Sequence, residues 1–581
     1  MKGGFATGGI KGGFAAGGGW LRLMPGLTVA IFLLPVAAGL LGTLLPSFGY
    51  LPELGGRGFS LEPWRMLLAA PELPWALAVT LISGLCATLL SFLLAVGIAA
   101  TLHGARLFTW MRRLLAPLLA MPHAAMALGF AFLIAPSGWL MRLLAPLVAA
   151  DGLPPGASLL GDRWGLSLAA GLVLKETPFL LLAIVGGLGQ LPAEASLATA
   201  RLLGYRPTTA WLKTILPQLY SQLRLPLYAV LAFSLSVVDM ALILGPSTPG
   251  PLAPLLLRWF NAADLQTIFP ATAGAVLQIL LVGAAILLWW AGERVAARLA
   301  AGWLADGARG HLGRSGRILG GGAAGLLVAL AALGIFALIL WSLAASWRFP
   351  ALLPQGFSLD TWLRPGLDIA RPVATSLLLG LGATAIALLL TLGCLENERR
   401  HGLHPTRRIL WLIYLPLLTP QISFLFGTEA LFAWLGIEAS LTALIWSHVL
   451  FVLPYVFLML ADPYRALDER YARTGLCLGA GQGRLFFRVM LPLLLRPTLI
   501  AAAVGFSVSI ALYLPTLFAG AGRFDSLTIE AVAASAGGDR RIAGVYGFLQ
   551  AGLPLAGFAL ALILPAVLFR HRRGMQAMER R

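Results

Sequence analysis

The chain has 581 residues, of which 59% are hydrophobic and only 11% charged, with a mean hydropathy of +0.85. An ordinary soluble domain carries about 25% charged residues, so this composition excludes a soluble globular protein and describes a polytopic membrane chain. The formal net charge is +18, but in a membrane protein such an excess reports first on which side of the bilayer Lys and Arg lie, and no nucleic-acid partner is needed to explain it.

Residues 1–22 open with an imperfect repeat, KGGFATGGI then KGGFAAGGG, too rich in glycine to hold a helix, and are expected to form a Gly-rich cytoplasmic tail. Apolar runs of about 20 residues, the length that crosses a ~30 Å hydrocarbon core, follow. They lie near 23–45, 74–101, 113–135, 166–190, 222–245 and 267–290, then near 318–343, 372–394, 407–430, 438–461, 495–520 and 544–569. The first is too long for a signal-peptide core and lacks a small-residue cleavage site. Two of these runs carry charge well away from their ends. Lys175 and Glu176, in LVLKETPFLL, fall half-way along the fourth span if it begins near Leu166, or at its outer end if it begins near Pro178. Asp239, in SLSVVDMALILGP, has apolar residues on both sides and follows Ser234 and Ser236. Ionisable groups inside spans tend to face a cavity or a partner, which makes Asp239, Ser236, Lys175 and Glu176 the candidate pathway residues.

Between the fourth and fifth spans the sequence ATARLLGYRPTTAWLKTILPQL breaks the apolar pattern, and between the tenth and eleventh spans DERYARTGLCLGAGQGRLFFRVMLPLLLRP does the same. The two align without a gap: Glu194 with Glu469, Gly204 with Gly479, Leu216 with Leu491 and Pro217 with Pro492, each pair 275 residues apart. Weaker echoes pair Pro122 and Gly129 with Pro420 and Gly427, and Thr88 and Gly97 with Thr384 and Gly393. Six spans and one special loop, repeated, indicate an internal duplication. The expected organisation is a first domain over 23–300, a charged cytoplasmic linker over 301–317 and a second domain over 318–581. Twelve spans put both termini on one side; that side then holds 30 of the 42 Lys and Arg residues, so the termini and both loops are expected to be cytoplasmic.

Each loop reads as two short helices broken at glycine, closed by a Leu-Pro that ends the second piece before the next span. A single basic amphipathic segment commonly rests on anionic lipid. Two copies keeping acid, glycine and Leu-Pro at fixed spacing point instead to a protein-docking surface used twice. No G-x4-G-K-[ST], H-E-x-x-H or G-x-S-x-G sequence is present, so the chain is not expected to hydrolyse ATP or to be an enzyme. Cys86, Cys394 and Cys477 are far apart, and His401 and His404 lie among arginines, so neither a disulfide framework nor a metal site is expected.

The loops resemble the EAA loop of binding-protein-dependent (type I) ABC importer permeases, whose pattern is E-A-A-x3-G-x9-I-x-L-P. The matches are Ala200, Gly204, Leu216 and Pro217 in the first copy, and Gly479, Val489, Leu491 and Pro492 in the second. The motif glutamate is absent: Ala198 and Arg473 stand there, with Glu194 and Glu469 four residues earlier. Along its whole length the chain is similar to fused two-domain permeases of the thiamine and ferric-iron importer type. The resemblance implies an all-α integral membrane fold of about 12 helices in two tandem six-helix permease domains, in a bacterial inner membrane. It implies two copies of an ABC ATPase docked on the loops, ATP used only by those partners, no cofactor bound by this chain, and a periplasmic solute-binding protein. It also implies that the fifth span lines the translocation pathway. The alternative is a 12-span, ion-driven secondary transporter, whose loop after the second span would carry a G-x3-D-R pattern; here that loop is LHGARLFTWMRR, without the acid.

Overall fold

The structure, a computed structural model, describes residues 19–148, 158–310, 313–403 and 407–570. Most of the Gly-rich tail, and His404, lie outside the described residues. Among the described residues the chain is helical apart from a two-stranded antiparallel hairpin, Ala344–Ser346 with Gly356–Phe357.

Nine helices among the described residues are long and apolar enough to span a membrane, or ten if the pair Gln482–Leu493 and Leu495–Ala511, bent by 75°, is one span. The predicted spans that fall short are the fifth, ninth and eleventh, because helices expected to be continuous are broken. The ninth divides into Arg407–Leu418 and Ile422–Trp434, and the third divides likewise into Arg106–Ala120 and His123–Ile134. Pro122 and Pro420 sit at these two breaks; a proline has no N–H to give the preceding turn and pushes the residue before it towards an extended conformation. The fifth divides into Leu216–Ser236 and Asp239–Leu244, the eleventh into Leu495–Ala511 and Leu514–Gly520. At these two breaks Val237 and Leu512 are extended, and Val238 and Tyr513 return to helical angles.

Breaking a helix inside a membrane frees carbonyls that no water can satisfy, so the protein must supply donors. Lys175 supplies them at the first break: its Nζ donates to the carbonyls of Leu119, at 3.1 Å, and Met121, at 2.5 Å. Gln278, in the Ile268–Ala305 helix, donates its Nε2 to the Leu235 carbonyl at 2.7 Å. Gln550, in the Arg540–Leu568 helix, serves the equivalent Ile510 carbonyl through a relay, donating at 2.7 Å to Thr528 Oγ1, which in turn donates to Ile510. The short helices Leu252–Phe260 and Leu527–Ala536 are tied down in matching fashion. The Leu252 amide donates to Thr80 Oγ1 (2.8 Å) and the Leu527 amide to Ser376 Oγ (2.9 Å).

The two halves are interlocked. Met24–Ser47 packs chiefly against Ile422–Trp434, and Arg314–Leu343 against both Arg540–Leu568 and His123–Ile134, so the helix opening each predicted half packs against the other. Both exchanges cross at paired glycines. A Cβ on Gly129 would lie 2.9 Å from the Gly334 backbone, and one on Gly42 would lie 2.8 Å from the Gly427 Cα. Only the missing side chains allow such close helix contact.

Candidate functional site: two matched loops and the broken-span centre

The first loop folds as Ala193–Leu202, a turn at Gly204, and Pro207–Ala210 leading into a π-helical turn, Trp211–Ile215. The second repeats every part: Glu469–Cys477, a turn at Gly479, Gln482–Leu485 and a π-helical turn, Phe486–Met490. Gly204 and Gly479 have φ of +85° and +79°, the left-handed region that glycine enters without a Cβ clash. In the first turn the Tyr205 amide donates to Ala200 O (3.1 Å) and the Gly204 amide to Arg201 O (2.9 Å). In the second the Ala480 amide donates to Gly475 O and the Gly479 amide to Leu476 O, both at 3.0 Å. Both are Schellman caps, which satisfy the last carbonyls of one helix while turning the chain into the next.

The Leu-Pro pairs do not end the second pieces as expected. In the first loop the π-helical turn runs directly into Leu216–Ser236; in the second the bend comes after Leu493, beyond Pro492. A proline ring would clash with the carbonyl four residues back, and widening that turn to π pitch removes the clash without ending the helix.

Both loops present large apolar side chains to the outside: Leu202 is 90% exposed, Leu478 83% and Phe487 67%. Beneath each lies a cavity. One of about 590 Å³ is lined by Ala200, Leu203, Tyr205, Lys213, Pro217 and neighbours; the other, of about 540 Å³, by Arg470, Tyr471, Thr474, Gly475, Leu478 and Val489. Ala200, Pro217 and Val489 therefore converge on these hollows, whereas Leu216, Leu491 and Pro492 are half-buried in the helices behind them. The two acids pair differently. Glu194 lies 3.3 Å from His103, and Glu469 is 2.6 Å from Arg473, the residue standing at the motif glutamate position.

The loops also differ in cover. Lys213 Nζ lies 2.6 Å from Asp306 Oδ1 in the segment joining the two halves, and the Arg206 amide donates to Arg309 O at 3.1 Å. The Lys213 hydrogen bond and the Ala308 amide hold the Asp306 carboxyl below its usual value. No charge pattern in the sequence marks this contact, because Asp306 lies 93 residues from Lys213.

At the broken-span centre the Leu166–Leu188 helix begins where the near reading puts it, so Lys175 and Glu176 are mid-span and both are buried. The start is fixed by Asp162, whose carboxylate accepts from the amides of Trp164, Leu166 and Ser167. Lys175 is committed to backbone carbonyls, and Ser236 Oγ to its own helix at Ala232 O, 2.7 Å. Glu176 lies 3.7 Å from His123, whose ring centroid is 4.5 Å from that of Phe233. Asp239 is buried at the start of Asp239–Leu244, immediately after the break, within electrostatic reach of His123 and Lys175. From later in the chain, Tyr455 lies within electrostatic reach of Glu176, and Tyr513 of Asp239. His123 escaped the sequence reading although it follows Pro122 directly. Among the described residues no group of His, Cys, Asp and Glu could hold a metal ion.

A polytopic helical chain with interlocked helices, broken inner spans and two matched loops has the build of a solute permease. It is 33% identical over 521 residues to the inner membrane ABC transporter permease protein YnjC of Escherichia coli (strain K12), covering 89% of this chain and 93% of that protein. It is also 26% identical over 157 residues to the spermidine/putrescine transport system permease protein PotC of Haemophilus influenzae, covering 26% of this chain and 57% of that protein. No family model matches the chain. The chain belongs to the inner membrane ABC transporter permeases. It is the permease subunit of an importer, binds no cofactor, and leaves ATP hydrolysis to separate ATPase chains. That membership sets aside the ion-driven secondary transporter.

Proposed function

We propose that this chain is a fused importer permease, with domains 23–300 and 318–581 joined by the cytoplasmic linker 301–317, both termini cytoplasmic, and one copy of an ABC ATPase docked on each loop. The observation that carries this reading is the pair of Schellman-capped turns at Gly204 and Gly479, each beside an outward leucine over a cavity. Glu194, Ala200, Gly204, Leu216 and Pro217, with Glu469, Gly479, Val489, Leu491 and Pro492, build the two sockets. Closure of the ATPases on ATP draws the sockets together and rocks the interlocked halves between inward- and outward-facing states. A periplasmic binding protein delivers the solute.

The cargo on this reading is a small cationic solute. Similarly built permeases carry thiamine, ferric iron, oxyanions or phosphonates; the first two are cations, as are spermidine and putrescine, named for the Haemophilus relative. Glu176 and Asp239 are acids buried where the fourth and fifth spans meet Tyr455 and Tyr513, which suits passage of positive charge. The test is reconstitution in proteoliposomes with the cognate ATPase and binding protein: cation uptake should need all three components and fall sharply in Asp239→Asn. Uptake by the permease alone would overturn the reading.

A further inference from the structure

We infer that the segment Trp303 to Gly310 forms part of one ATPase docking surface, while among the described residues no segment covers the other loop in the same way, so that two copies of one ATPase meet unlike sockets. This rests on the reading of both loops as ATPase sockets.

Within each loop the duplication is close, since cap, φ and π-helical turn all recur 275 residues on. Among the described residues the surroundings differ. The Lys213 side chain is only 5% exposed, because the joining segment folds over it. Its ammonium pairs with Asp306 and lies 4.8 Å from the Trp303 ring centroid and 5.5 Å from that of Tyr205. Asp306 in turn accepts from the Ala308 amide at 2.9 Å, which shapes the bend that brings Arg309 O to the Arg206 amide. Leu304 completes one wall of the first cavity, and residues 303–309 keep an outward surface beside it. A docking subunit that enters this cavity therefore touches the joining segment as well as the loop.

At the second loop Arg488 takes the place of Lys213, and among the described residues it makes no ion pair and no ring contact. Among the described residues the cavity there is lined by the loop itself, residues 468–489, and Phe487, in place of the half-buried Leu212, projects outward. The first socket is preorganised by a charged staple; the second offers a freer loop with an aromatic anchor. Preorganisation lowers the ordering cost of binding, so the first socket is the tighter.

The test uses the full-length permease in nanodiscs, titrated with its cognate, nucleotide-free ATPase subunit, while native mass spectrometry counts zero, one or two bound copies. The wild type should fill in two separable steps. Asp306→Asn, or Trp303→Ala if the first proves too mild, should weaken one step by about 2–5-fold, whereas Phe487→Ala should weaken the other. Gly204→Val and Gly479→Val assign the steps, since each should weaken its own step by about 5–30-fold. If those glycine variants each weaken one step but Asp306→Asn and Trp303→Ala change neither step, or both equally, the inference about the joining segment fails. If the glycine variants weaken neither step, the socket reading itself fails.

Discussion

Replacing Gly479 by valine isolates the geometry of a loop from everything it touches. At φ +79°, a Cβ on this residue would meet nothing within 4 Å, so the whole penalty is backbone conformation. An L-residue pays roughly 1–2 kcal/mol in the left-handed region, and a β-branched one sits at the upper end. That is enough to shift the population of correctly turned loop by about 5–30-fold. Gly204 carries the same backbone penalty at φ +85°, and its Cβ would also approach the Arg309 guanidinium at 3.3 Å, so Gly204→Val should be slightly the worse. Both turns are on the surface, so the membrane fold should persist while the relation between the two helical pieces is lost. In proteoliposomes holding the ATPase and binding protein, the double valine variant should hydrolyse ATP without transport, at unchanged permease insertion and melting. Asparagine enters the left-handed region more readily than other non-glycine residues, so Gly→Asn at both positions should retain most coupling. Full coupling in the valine variant would refute the docking role, and an asparagine variant as damaged as valine would refute the backbone explanation.

The donors at the broken spans give a graded set of outcomes. Gln278→Leu leaves the Leu235 carbonyl without a donor and should cost about 1–3 kcal/mol, read as a lower unfolding temperature in detergent. Gln550→Leu should cost less, because Thr528 still donates to Ile510; equal losses would contradict the relay. Lys175→Met strips two carbonyls at once and should destabilise the permease with or without its partners, which separates it from Asp239→Asn, expected to alter transport at unchanged melting. The Asp306 carboxyl is held below the unfolded value of about 3.9. Its contribution is therefore complete above that pH and is lost only as pH falls through the lower folded value. Hydrogen exchange at the Ala308 amide, corrected for the intrinsic rate, should stay slow from neutrality down to about pH 4; loss of protection between pH 7 and 5 would contradict the pairing.

The repeat was readable because two loops of unlike sequence keep acid, glycine and Leu-Pro in register, and glycine was kept for a reason visible in the φ angles. The choice between two positions for Lys175 and Glu176 turned on where one helix starts, which Asp162 settles through amides two to five residues on. Other features left little trace. The breaks at Val237 and Leu512 are marked by neither glycine nor proline at the extended residue, and Gln278 reads as a stray polar residue in an apolar run. Their explanation is tertiary: carbonyls freed on one helix are met by amides on another. The exchange of first helices was hidden for the same reason, since Gly42 and Gly129 show their purpose only beside Gly427 and Gly334.

The central claim, that one ATPase sits on each loop, can be read from two equivalent positions. Cys477 is exposed at the end of the second loop's first helix, and Leu202, 275 residues earlier, is its counterpart in the first. With Leu202→Cys installed beside the native Cys477, a short thiol-reactive photo-crosslinker is attached to the assembled importer in its own membrane. The account predicts that both positions capture the ATPase, one copy each, and that Gly204→Val or Gly479→Val reduces capture only at its own loop. Capture of lipid alone at both positions would contradict it.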